Sequence, residues 1–180
     1  RDEIRGYLLE NPEVLMEAIG VLEQRQADQA EANDTAMIAA NADSIYDDGY
    51  SHVAGNPDGD VTLVEFVDYR CGYCRKAFPE INALLESDGN IRLIYKEFPI
   101  LGQESVTSSR FAIATKLAHG DEAYGEMHDA LMALRANATE EVLARMADDM
   151  GYDSQEILAK MDDPEVNRQI EENHLLAQRL

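Results

Sequence analysis

The sequence predicts an α/β domain, and three stretches carry that expectation. Val61 to Val67 is an apolar, β-branched run of strand length. Ile91 to Phe98 is a second such run, stopped by Pro99. Between them Arg75 to Leu85 has helical spacing, with Ala77, Ile81, Leu84 and Leu85 on one side. Strand, helix, strand is a βαβ unit, whose strands pair in parallel through a right-handed crossover. A turn at Asp88-Gly89-Asn90 separates the helix from the second strand.

Taken in order, Arg1 to about Gln26 reads as helix. Ile4, Tyr7 and Leu8 form a first apolar cluster. Asn11-Pro12 breaks the pattern and restarts it, with Asn11 as expected N-cap and Pro12 in the first turn. Val14, Leu15, Ala18, Ile19 and Leu22 then share a face, and a polar, alanine-rich stem follows to Ala36. Such a helix cannot bury its whole length. Its apolar end either docks on the domain or meets copies of itself, and the polar stem favours an oligomerisation arm. Residues 1–40 are therefore assigned to an N-terminal helical arm.

Residues 41–102 carry the strands. Ser44-Ile45-Tyr46 reads as a short strand, and Ser51 to Gly55 as the lead-in to a turn at Asn56-Pro57-Asp58-Gly59-Asp60. Residues 103–180 are helical throughout. Val106, Arg110, Phe111, Ile113, Ala114 and Leu117 mark one helix; Ala123, Met127, Ala130, Leu131 and Leu134 mark the next. Val142, Leu143, Met146 and Met150 give a third, capped by Thr139. Ile157, Leu158 and Met161 mark a fourth, and Val166, Ile170, His174 and Ala177 a fifth. The methionines sit at helical spacing and read as core filler.

Charge narrows the function classes. Fifteen Lys and Arg stand against 36 Asp and Glu, a net charge of -21 over 180 residues. Nucleic acid is excluded as a partner, because phosphate binding needs clustered cations, and an anionic membrane surface is disfavoured for the same reason. No run of 18 apolar residues is present to span a membrane. The chain begins at Arg1 without Met or signal peptide, which reads as a processed or trimmed form.

The chemistry sits at Cys71 and Cys74, the two cysteines of the chain, at Cys-x-x-Cys spacing after the first strand and at the start of the helix. Unpaired N–H groups and the positive end of a helix favour a thiolate there. A zinc knuckle needs a second ligand pair, and His52, His119, His128 and His174 are not spaced to supply one. An inert disulfide would close only a four-residue loop and constrain little chain. A redox-active Cys71–Cys74 pair remains, needing no cofactor and no metal. Cys71 at the helix start is the expected nucleophile and Cys74, one turn in, the resolving thiol. Arg70 and Arg75 are placed either to favour the thiolate or to remain solvated. Glu65, six residues before Cys71, exchanges protons with Cys74 if its strand register turns it inward, and is a surface charge otherwise. Pro79 is expected to kink the helix.

Val-Glu-Phe-Val-Asp-Tyr-Arg-Cys-Gly-Tyr-Cys, followed by Tyr-Lys-Glu-Phe-Pro-Ile-Leu-Gly, resembles the DsbA-like thioredoxin-fold oxidoreductases of the bacterial periplasm, most closely the Com1/ScsC-like branch. The resemblance covers Ser44 to Leu180, and Tyr-Leu-Leu-Glu-Asn-Pro-Glu-Val-Leu is similar to that branch's N-terminal arm. It implies a thioredoxin-like fold with a helical insertion at 103–180, and places Glu65 on the family's buried acid. It implies oxidation, reduction or isomerisation of disulfides in secreted, cysteine-containing proteins, a redox partner protein, a periplasmic location, and a dimer or trimer formed by the arm. It also admits a second reading, a copper-binding or chaperone-like module using the same cysteines. Gly72-Tyr73 departs from the Pro-His of strongly oxidising members, and loss of that His predicts a less oxidising couple. The family's cis-proline loop and final strands would lie past Leu180, so the expected sheet lacks its C-terminal strands.

Overall fold

Asn11 ends the first helix instead of starting the second. The computed structural model describes Arg1–Leu180, and the chain divides into two units, the first spanning Arg1–Ala42 and the second Asp43–Arg179. In the first unit α1 (Asp2–Glu10) is followed by α2 (Glu13–Ala40). The residue before a proline is kept out of the helical region, and Asn11 sits at φ -131, ψ 66. From there its side-chain Nδ2 and its backbone N–H both donate to Tyr7 O, at 2.9 and 2.8 Å. It thus satisfies a carbonyl at the C-terminus of α1, while no side chain caps α2. Neither helix buries a residue, and Ile4, Leu9, Leu15, Met16, Ile19 and Leu22 are exposed.

The second unit runs α3 (Ala42–Tyr46), β1 (His52–Gly55), β2 (Val61–Val67), α4 (Gly72–Asp88), β3 (Ile91–Glu97), α5 (Gln103–His119), α6 (Asp121–Ala133), α7 (Glu140–Met150), α8 (Ser154–Lys160) and α9 (Pro164–Arg179). The three strands form one sheet in the order β1-β3-β2. β2 pairs in parallel with β3 as the βαβ reading requires, and β1 pairs antiparallel. Central β3 is almost wholly buried, which explains its lack of polar–apolar alternation.

Ser44-Ile45-Tyr46 is helical, the end of α3, with only Ile45 buried; three residues are too few for a periodicity to separate strand from helix. His52–Gly55, read as a lead-in, is a strand because β3 offers it a partner. Its last residue must be glycine: φ is +72, and a Cβ would lie 2.4 Å from Ile91 O.

Helix faces also shift. α4 turns Cys74, Phe78, Ile81 and Leu85 onto the core, while Leu84 is exposed. Gly89 closes it in the left-handed region, its N–H donating to Leu85 O. On α9 the buried face is Val166, Gln169, Asn173 and Leu176, not the Val166–Ile170–His174–Ala177 stripe. One polar residue there reaches across to other segments: Asn173 donates to Glu97 O and accepts from the Tyr50 hydroxyl. Thr139 does cap α7, accepting from Val142 N.

Candidate active site

β2 delivers the chain to the cysteines through a turn built on Asp68. That residue is buried, and its carboxylate accepts four hydrogen bonds: from Arg70 N and Ser105 Oγ on Oδ1, and from Ile100 N and Leu101 N on Oδ2. Its backbone carbonyl accepts from Cys71 N at 3.0 Å. The turn is thereby tied to the loop after β3 and to the first turn of α5.

Cys71 is the N-cap of α4, at φ -72, ψ 119, and Arg75 N donates to its carbonyl. Cys74 lies one turn inside and packs against the core. Both are free thiols and partly buried. Their surroundings push them apart. The Cys74 N–H is the main influence holding the Cys71 thiol below its ordinary value, helped by the Cys74 side chain and the Tyr73 N–H. Burial pushes the Cys74 thiol up to about 11, with the Cys71 sulfur and Glu65 adding to it. Tyr73, between them, is 85% exposed.

Glu65 lies mid-strand on β2, opposite Tyr95 of β3. It is partly buried, and burial pushes its carboxyl up. Its charge acts on both Cys74 and Tyr95. Arg70 and Arg75 are engaged with the first turn of α5, the end of α6 and the segment after α6. Arg70 pairs with Glu104 at 3.1 Å and donates to Ala136 O; Arg75 Nε donates to Met132 O. No group of three or more His, Cys, Asp or Glu side chains is placed to hold a metal ion.

Next to the turn lies a buried polar cluster that sequence reasoning missed. Glu97, at the end of β3, accepts from the Tyr69 and Tyr124 hydroxyls on Oε1, both at 2.6 Å, while its Oε2 has no partner. Burial pushes its carboxyl up to about 7. Tyr69 Oη is also 3.1 Å from His128 Nδ1. Because the hydroxyl donates to Glu97, Nδ1 must carry the proton and donate to Tyr69, leaving Nε2 bare and unpartnered. The His128 ring stacks on Tyr95 at 4.0 Å and meets Tyr69 and Phe78 edge-on. Burial in this aromatic cage pulls its pKa down to about 3. Asp68 and Glu97 left one usable signal in the sequence: each is an acid at the end of an apolar strand.

Residues 62–180 match the family described as the DSBA-like thioredoxin domain. Residues 1–29 match the copper resistance protein ScsC N-terminal domain. A thioredoxin-like oxidoreductase from Silicibacter pomeroyi DSS-3 is 41% identical, with a TM-score of 0.71 over 76% of this chain and 78% of that one. ScsC from Proteus mirabilis, in a compact conformation, is 26% identical, with a TM-score of 0.71 over 100% of this chain and 88% of that one. A Na(+)/H(+) antiporter, NhaA 1 of Salinispora arenicola, is 34% identical over 102 residues, 56% of this chain and 14% of the antiporter. The chain thus spans only a small part of the length of the curated relatives it matches. No helix is long and apolar enough to cross a membrane. A small sheet, a helical insertion, N-terminal helices and a match over residues 62–180 together make this chain a member of the DSBA-like thioredoxin domain family, among the thioredoxin-like thiol–disulfide oxidoreductases of the DsbA and ScsC kind.

Proposed function

We propose that the chain exchanges disulfides with secreted, cysteine-containing proteins in the periplasm through its Cys71-Gly72-Tyr73-Cys74 pair. The observation that carries this reading is the asymmetry of the two thiols: helix N–H groups favour the thiolate at Cys71, and burial keeps the proton on Cys74. In the reducing direction the Cys71 thiolate attacks a substrate disulfide, forming a mixed disulfide and releasing one substrate thiolate. Cys74 then loses its proton and attacks the Cys71 sulfur. The substrate leaves with two electrons, and the pair becomes a disulfide. Glu65 is the acceptor for the Cys74 proton, its own carboxyl raised by burial towards the range where it can take one. Oxidation runs the same steps backwards from the Cys71–Cys74 disulfide, which a partner protein regenerates; isomerisation starts from the reduced pair, and a second substrate thiolate displaces Cys71 from the mixed disulfide, leaving the pair reduced.

Exposed apolar residues along α1 and α2 supply the contact through which the arm assembles dimers or trimers. Cys71→Ser should abolish insulin reduction, and Cys74→Ala should accumulate a mixed disulfide. Full activity in the Cys71 variant would sink the reading. A second reading, Cu(I) held by both thiolates, is favoured by the likeness of residues 1–29 to a copper resistance protein. Copper bound tightly by free thiols, with negligible dithiol exchange, would select it.

A further inference from the structure

The turn ahead of Cys71 has a feature that the exchange steps leave unused. Asp68 is 3% exposed, three residues before the attacking sulfur, yet no Lys or Arg side chain pairs with it. Four donors and no acceptor face it, the surroundings of a carboxylate and not of a carboxylic acid. Three of the donors are backbone N–H groups, from Arg70 in the cysteine turn and from Ile100 and Leu101 in the loop after β3. The fourth is the Ser105 hydroxyl on α5.

We propose that Asp68 is a positioning residue for thiol–disulfide exchange, which locks the turn presenting Cys71 onto the Ile100–Leu101 loop and keeps a fixed negative charge in that turn. The inference rests on the exchange reading of the cysteine pair. Its two parts act in opposite directions. The hydrogen bonds keep Cys71 over the N-terminus of α4, where the N–H groups of Tyr73 and Cys74 favour its thiolate. The charge works against that thiolate, restraining a sulfur that the helix alone would make more acidic. Other charged groups near the turn are accounted for. Glu65 acts on Cys74, Arg70 pairs with Glu104, Arg75 is held on Met132 O, and Glu97 is the buried acid that feels Asp68.

Opposed parts make the test directional. In Asp68→Asn the amide oxygen can keep the Ile100 and Leu101 N–H groups while the amide nitrogen donates to Ser105 Oγ. The Arg70 N–H and the Ser105 O–H lose their acceptor, while both bonds to the Ile100–Leu101 loop remain. In Asp68→Ala all four donors lose theirs. Reduced full-length protein is alkylated with iodoacetamide from pH 5 to 10, and the modification of Cys71 is followed by mass spectrometry. At pH 6, Asp68→Asn should react at Cys71 about three-fold faster than wild type or more, the yield of removing one nearby charge. Asp68→Ala, which removes the same charge but also every hydrogen bond, should react more slowly than Asp68→Asn. An unchanged or slower rate in Asp68→Asn overturns the inference, as does an Asp68→Ala rate equal to that of Asp68→Asn. Insulin reduction by wild type is measured alongside. If wild type exchanges no disulfides, the functional reading fails even where the alkylation rates move as expected.

Discussion

Replacing Glu97 with glutamine should make the protein more stable in alkali and flatten its response to pH. Glu97 is 4% exposed, its Oε1 accepts two tyrosine hydroxyls and its Oε2 accepts nothing. Burial moves the carboxyl from an ordinary 4.5 to about 7. The native state therefore holds a proton that the unfolded chain has released between those two values. Stability from this group is complete below about 4.5 and is lost as pH rises through about 7. The displacement corresponds to about 3 kcal/mol. Glutamine keeps an oxygen for both hydroxyls and never ionises. The advantage of Glu97→Gln over wild type should grow by about 2–3 kcal/mol between pH 5 and pH 9. Urea titrations of both proteins at the two pH values read this directly, as a relative gain of roughly 1–2 M in midpoint at an ordinary slope. Because both proteins share every other titrating group, those contributions cancel. A constant difference across the range would refute the claim that Glu97 is buried uncharged.

Four further outcomes follow from the same structure. His128→Phe should resist acid better than wild type, because the native ring stays neutral down to about 3 while the unfolded one protonates near 6.5, so stability is lost as pH falls below 6.5; acid-unfolding curves compare the two. Lys96→Met should cost about 3 kcal/mol by urea unfolding, since it removes the one cation paired with the largely buried Asp48 carboxylate, leaving it only its Tyr50 and Ser51 donors. Glu65→Gln should leave the first attack by Cys71 unchanged and slow the release of the mixed disulfide, which stopped-flow kinetics separate. If the proposed arm assembles copies of the chain, deleting the residues up to Asp34 should lower the mass read by light scattering to that of a monomer, and an unchanged mass would refute the arm.

Sequence alone set much of this protein, wherever side-chain pattern and neighbours along the chain decide the outcome. Val61–Val67 and Ile91–Glu97 are strands at the expected places, because an apolar β-branched run needs only burial to become one. Cys71 and Cys74 could be placed on the first turn of a helix, since a strand, a turn and a helical stripe are adjacent in the chain. The five later helices follow from 3.6-residue periodicity and caps such as Thr139.

What escaped the sequence depends on partners distant along the chain. His52–Gly55 is a strand because β3 lies beside it, 40 residues away or so in sequence. The α9 face turned because Asn173 finds Tyr50 and Glu97, more than 70 residues upstream. Asp68 looks like an ordinary turn acid until Ile100, Leu101 and Ser105 fold over it. Sequence determined where the two sulfurs are, Cys71 at the N-cap of α4 and Cys74 one turn inside it. Tertiary structure decided what holds them, because a buried carboxylate is stable only where separate segments converge to supply its hydrogen bonds.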